Sequence, residues 1–232
     1  MMNIFIANIY NQTAELTAEE SWHCTKVLRM KAGETIHLID GVGSFYEGTL
    51  SVVNEKKCIV NIIAGPKQQI KHPYYLHLAI APTKNIDRME WMVEKAVEMG
   101  IDEITFVRCK NSERTVIKED RLIKIAESAA KQSLQAYIPK INGLTNFNDI
   151  IKVNADLKFI AHCEESHKKT LKDFELKNRK SLVLVGPEGD FTSEEVKLAK
   201  NEGFSELSLG NTRLRTETAG LFVSSMFSTI HL

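Results

Sequence analysis

The first stretch of the chain carries a period-two rhythm. Residues 34–38 alternate polar and apolar, Asp40-Gly41 supplies a turn dipeptide, and alternation resumes over 45–53. An apolar run at 58–63 follows Lys56-Lys57 and closes at Gly65-Pro66. Residues 17–28 break the rhythm, with Thr17 and Glu20 in capping-box spacing ahead of a predicted helix. A small β-barrel with one helix accounts for this order. Residues 67–73 are polar and end in Pro73, which predicts a first domain over 1–70 and a second over 73–232.

Beyond Pro73 the pattern changes to strands alternating with helices. Strands are predicted over 76–80, 103–107, 158–161, 182–185 and 206–209. Met89, Val93, Ala96 and Gly100 mark one face of a helix that ends at a glycine. A second helix is predicted over 120–136, where Glu127 and Lys131 stand at i,i+4, and Thr192 with Glu195 caps a third. This alternation predicts an α/β fold built on a parallel sheet with helices on both faces.

Charge changes the picture only locally. Thirty basic residues balance thirty acidic ones, so bulk charge gives no argument for a nucleic-acid partner. Residues 108–140 hold eight basic side chains against four acidic, and 167–180 six against two. Either surplus alone reads first as a solvated face. No apolar run approaches the ~20 residues of a membrane span, and the amino terminus has no secretory pattern. Cys24, Cys58, Cys109 and Cys163 are scattered, which predicts reduced thiols in the cytoplasm.

Several catalytic motifs are missing: GxxxxGK[ST], HExxH and GxSxG do not occur, and Gly41-Val42-Gly43 lacks the third glycine of a dinucleotide fingerprint. His162, Cys163 and His167 fall short of a zinc set, so no metal is expected. Two loops after predicted strands stand out instead. One is Gly186-Pro187-Glu188-Gly189-Asp190, where glycines permit positive φ or close approach of a ligand and proline stiffens the turn. The other runs from Leu209-Gly210 to Thr216-Glu217, with Thr216 placed to cap a helix and Glu217 in its first turn. Ligands of open α/β sheets lie beyond the carboxyl ends of strands, so the pair predicts a small-molecule site or, at its plainest, two ordinary turns.

These two loops, with Leu214-Arg215-Thr216-Glu217-Thr218-Ala219, resemble the RsmE family. The resemblance extends to Val27-Leu28-Arg29 with Asp40-Gly41, Lys84 with Arg88-Met89-Glu90, Lys95-Ala96-Val97-Glu98-Met99-Gly100, Ser112-Glu113-Arg114 and Gln132-Ser133. It implies a SPOUT-type sheet with a carboxyl-terminal trefoil knot and an amino-terminal PUA-like β-barrel that binds RNA. It implies S-adenosylmethionine as cofactor and methylation of N3 of a uridine in 16S ribosomal RNA of the small subunit, by a homodimer. The chain departs from the family pattern at Asp190, where a second glycine is common, and at Lys131 and Gln135, where the family has a glutamate and a later arginine.

Carried over by position, the resemblance places the cofactor against His162, Gly186, Pro187, Glu188, Gly189, Leu209, Gly210, Leu214, Arg215 and Thr216. Arg29, Lys84, Arg88 and Arg114 become candidates for RNA contact. Transfer to the imide nitrogen N3 needs its proton removed and the charge on the ring oxygens stabilised. A carboxylate and an arginine suit those needs, which makes Glu217, Glu188 and Arg88 the catalytic candidates. Ribose 2′-O-methylation and RNA binding without catalysis stand as alternatives.

Overall fold

The computed structural model describes residues 3–230, which form two compact units. One runs up to Lys71 and takes in Ala130–Ile138; the other holds His72–Ala129 and the chain from Pro139 onward. In the first, strands β1 (Ile4–Tyr10), β2 (Thr13–Leu16), β3 (Thr35–Ile39), β4 (Ser44–Val52) and β5 (Ile59–Gln68) close into a barrel in the order β1-β2-β5-β4-β3. Every pairing is antiparallel except β1 with β3. The period-two positions Ile36, Leu38, Leu50 and Val60 point inward with Phe5 and Leu16, all buried.

Three barrel details depart from the sequence pattern. Strand β5 does not close at Gly65-Pro66 but continues to Gln68 through register shifts against β4, with Gly65 at φ +117 lying against the Phe45 carbonyl. The helix expected over 17–28 is only α1 (Ala18–Trp22), with the Glu20 N–H donating to Thr17 Oγ1, and it widens into a π-helical turn over His23–Val27. The Thr25 hydroxyl donates to the Ser21 and Trp22 carbonyls there and competes with the α-helical ladder. The third departure is α3 (Glu119–Gln132), which ends before residue 136: Leu134 turns left-handed at φ 56 and the Gln135 N–H closes onto the Ala130 carbonyl. Lys131 reaches Glu20 of α1, and Ala136 packs with Ile4 and Ile39.

The second unit is a six-stranded sheet of β6 (Tyr75–Ile80), β7 (Glu103–Arg108), β8 (Lys140–Asn146), β9 (Leu157–Ala161), β10 (Lys180–Val185) and β11 (Ser205–Leu207), in the order β11-β9-β10-β6-β7-β8. All pairings are parallel. Strand β8 escapes the sequence pattern because it is a partly exposed edge strand, interrupted by Gly143, with no clean alternation. Helices α2 (Ile86–Glu98) and α6 (Thr216–Ile230) cover one face, where a Cβ on Gly220 would stand 2.8 Å from Ile80 Cδ1 and 3.5 Å from Met92 Sδ. On the other face Ala79, Leu182 and Leu184 pack with α4 (Phe147–Ile150) and α5 (Ser193–Asn201) through Phe147, Ile150, Val196 and Ala199. Both faces of β10 are thus buried, as its unbroken apolar run requires.

Two tests follow from these contacts. Gly43 stands at φ +114, and a Cβ there would lie 2.3 Å from the Tyr137 ring. Gly43→Ala therefore lowers the unfolding free energy of the barrel by about 1–3 kcal/mol in denaturant titration, since strain and clash act together. His77 is buried beneath the sheet, its Nε2 2.7 Å from Thr105 Oγ1, and burial pushes its pKa down to about 4. The unfolded chain takes up this proton near pH 6.5 and the folded one only near 4, so stability present above pH 6.5 is lost as pH falls between those values. His77→Asn flattens the fall of melting temperature across that window; an unchanged slope would assign it to other groups.

Candidate functional site

A cavity of about 740 Å³ opens at the carboxyl ends of β9, β10 and β11, bounded by their loops and the start of α6. Gly186, Pro187 and Glu188 line it from the β10 loop, and Leu209, Gly210, Leu214, Arg215 and Thr216 from the β11 loop. His162 lines it from the β9 loop, and Arg88 of α2 and Glu217 of α6 also face it. Gly189 is not in the wall. A Cβ there would meet Asn111 at 3.2 Å, and one on Gly186 would meet the Phe191 ring at 3.0 Å, so these two glycines answer to packing. Positive φ falls instead on Gly210, at +111 with open space beside it, and on Asp190, at 62.

Asp190 fills the position where the sequence departs from the family pattern. A short polar side chain tolerates the left-handed region, and here it also bonds: Oδ1 accepts the Phe191 N–H at 2.8 Å and Oδ2 the Cys163 N–H at 2.7 Å. The carboxylate thereby ties the β9 loop to the β10 loop. Asn111, beyond β7, adds a second tie through Nδ2, which donates to the Gly189 and Asp190 carbonyls at 3.1 Å. A third comes from Glu188, whose Oε1 accepts the Lys84 N–H at 2.9 Å from the loop after β6. Arg114 holds that same loop, donating to the Thr83 and Lys84 carbonyls. Thr216 is buried and donates its hydroxyl to the Gly186 carbonyl at 3.0 Å, which joins the two cavity loops where the sequence predicted a helix cap.

Among the described residues, two buried side chains of the cavity wall have a polar atom without a partner. The His162 Nε2 lies 3.1 Å from Glu206 Oε1, and burial, reinforced by Lys168, lowers its pKa. Lys200 and Ser166 hold the Glu206 carboxyl down at about 2, so it is the acceptor and neutral His162 donates from Nε2. The Nδ1 lone pair, buried and unpartnered, is left free to accept. The second is Glu217, in the first turn of α6 where the helix dipole favours a carboxylate. Its Oε1 is 3.6 Å from Arg88 Nη1, a loose pair, and its buried Oε2 has no partner.

The other predicted RNA contacts lie outside the cavity wall. Lys84 is exposed with its ammonium 3.2 Å from Glu113, and Arg114 is engaged by carbonyls. Arg29 belongs to the barrel unit, exposed at φ 54 after the π-helical turn. Arg215 is exposed in the cavity wall and forms no ion pair among the described residues. Among those residues no group of three or more His, Cys, Asp or Glu is arranged to hold a metal ion. No described helix is long and apolar enough to cross a membrane.

A family model described as the RNA methyltransferase domain matches residues 71–228, and one described as the RNA methyltransferase PUA domain matches 16–63. The chain belongs to the RNA methyltransferase family. Its barrel and parallel sheet are accordingly those of this family. It is similar to the Ribosomal RNA small subunit methyltransferase E of Bacillus subtilis, 27% identical over 93% of this chain and 90% of that one. A probable rRNA-methyltransferase of Porphyromonas gingivalis superposes with a TM-score of 0.89 and 40% identity, over 99% of this chain and 98% of that one. The Ribosomal RNA small subunit methyltransferase E of Neisseria gonorrhoeae, solved bound to S-adenosyl methionine, superposes with a TM-score of 0.85 and 27% identity over the same shares.

The ties between loops can be read one at a time. Glu188→Ala frees the Lys84 amide, and its hydrogen exchange speeds by about 10-fold or more, the equivalent of one charge-assisted hydrogen bond, while the amides of β10 keep their protection. Unchanged exchange at Lys84 would mean that Arg114 alone holds the loop.

Proposed function

We propose that this protein transfers a methyl group from S-adenosylmethionine to N3 of a uridine in 16S ribosomal RNA of the small subunit. The cavity supports the cofactor assignment. Its volume suits a ligand of that size, and the open main chain at Gly210 and the free Nδ1 acceptor of His162 fit an adenosine bearing amine and hydroxyl donors. His162, Gly186, Pro187, Leu209, Gly210, Leu214, Arg215 and Thr216 would hold it, largely through backbone. When bound, the cofactor supplies an electrophilic methyl group on a sulfonium.

The observation that carries the reaction is Glu217: a buried carboxylate in the cavity wall with one oxygen unpartnered and a cation beside the other. Its Oε2 takes the N3 proton of the uracil, and Arg88, half exposed, compensates the charge that develops on the ring oxygens. Glu188 contributes less directly, since one of its oxygens is committed to holding the Lys84 loop. The N3 edge is engaged in a duplex, so the uridine reaches this wall unpaired or flipped out. Division of labour between a barrel that contacts RNA, with Arg29 on its surface, and a catalytic sheet domain is part of the same reading. So are the trefoil knot, a homodimer and residence in the cytoplasm beside the ribosome; Phe222 and Ile230, exposed on α6, support burial against a second copy.

Labelled S-adenosylmethionine with small ribosomal subunits lacking the modification places label in 3-methyluridine after nucleoside digestion. Label in a ribose-methylated nucleoside would reassign the chemistry. Glu217→Gln keeps the shape but cannot accept the proton, so the transfer rate falls by about 10²–10⁴-fold while cofactor affinity, measured by calorimetry, is retained. Full transfer by that variant would remove Glu217 from the mechanism.

A further inference from the structure

A second cavity, of about 730 Å³, lies on the same carboxyl edge of the sheet, at the ends of β7 and β8. Its wall includes Arg108 and Lys110, both exposed, and neither cation is paired with a carboxylate among the described residues. Asn148 brings an exposed amide without a side-chain partner among the described residues, and Asp149 an exposed carboxylate whose Oδ2 lies 3.3 Å from Asn146 Nδ2. Leu198 of α5 adds an apolar surface, 40% exposed. The segment over 109–115 forms part of this wall, and it is the segment whose Asn111 grips the β10 loop of the first cavity. The Lys110 N–H donates to buried Glu195 at 2.8 Å, which fixes the segment from the other side.

We propose that this second cavity is a subsite for a nucleotide flanking the target in the substrate RNA, an inference that rests on the proposed RNA methyl transfer. Two unpaired cations suit phosphates, but the nearby carboxylates disfavour a site for phosphate alone. The mixture of cation, amide, carboxylate and apolar surface matches a whole nucleotide. Arg108 and Lys110 take backbone phosphates, and Leu198 meets the base face. Asn148 and Asp149 read the base edge, the carboxylate accepting from an exocyclic amine. A base with such a donor, adenine, guanine or cytosine, is therefore preferred over uracil. The shared wall couples this grip to the placement of the target uridine, since a shift of the 109–115 segment is felt at Gly189 and Asp190 through Asn111.

The test uses the full chain and two readouts. One is methyl transfer to small ribosomal subunits. The other is binding of fluorescent single-stranded RNA oligonucleotides centred on a uridine, as a function of salt. In Arg108→Glu/Lys110→Glu the KM for subunits rises by about 10-fold or more with cofactor affinity unchanged, and the slope of log K against log salt falls by about 2. Replacing a flanking adenine by purine, or guanine by inosine, weakens binding to the natural protein and leaves Asp149→Ala indifferent. Unchanged KM and slope in the double variant would overturn the subsite and leave the methyl-transfer reading intact. Equal response of Asp149→Ala and the natural protein to base replacement would overturn the base-reading role. If the natural protein methylates no RNA, the functional reading fails first, and the salt slope alone then decides whether the cavity holds RNA.

Discussion

Everything at the carboxyl edge of the sheet depends on holding irregular main chain still without regular secondary structure. Loops that present backbone to a ligand cannot also satisfy that backbone in ladders, so side chains have to fix them. Here a small set of charged, amide and hydroxyl groups does so, each bonding to main chain of a loop other than its own. Asp190 joins the β9 and β10 loops, Glu188 joins the β10 and β6 loops, and Asn111 joins the β7 and β10 loops. Arg114 grips the β6 loop and Thr216 the β10 loop from α6. The β10 loop takes part in four of these five ties, and β10 itself is buried on both faces between β6 and β9. A strand buried on both faces therefore carries the loop to which its neighbours are fastened.

Strand order explains why these loops converge. The chain passes from β6 outward through β7 to β8, then crosses to the far side at β9 before inserting β10 in the middle. Its direction across the sheet thus changes beside β6, β10 and β9, where crevices between loops form in open α/β sheets. The first cavity occupies that place, and the second lies further along the edge, at β7 and β8.

What could be read in the sequence followed from strong local patterns. The apolar run of β10, the helical face of Met89, Val93 and Ala96, and the capping box at Thr192 each had one dominant signal, and each element formed there. The failures lie where a non-local or side-chain effect prevails over local pattern. The Thr25 hydroxyl widened a helix, an exposed edge position hid β8, and left-handed Leu134 ended α3 early. The site shows the same division. Glycine-rich loops and Glu217 were visible as motifs, but Asn111 was not, because its value lies in two carbonyls more than seventy residues away, at Gly189 and Asp190. Asp190 was visible only as a departure from a glycine pattern; its role comes from the Cys163 amide, which no sequence spacing reveals.

The zero net charge is less awkward in this light than it first appears. Long-range attraction to RNA would come from bulk charge, but many basic groups here are spent internally: Arg114 on carbonyls, Lys131 on Glu20, Lys168 on the His162 and Glu164 carbonyls. Counting basic residues along the chain therefore overstates the charge offered to a partner. Arg108, Lys110 and Arg215 are among the cations without a carboxylate partner among the described residues, and each stands in the wall of a cavity. Arg88 is intermediate. At 3.6 Å its guanidinium is too far from Glu217 for a strong hydrogen bond. That loose contact leaves Arg88, like the other three, with charge to offer to whatever enters the cavity whose wall it lines.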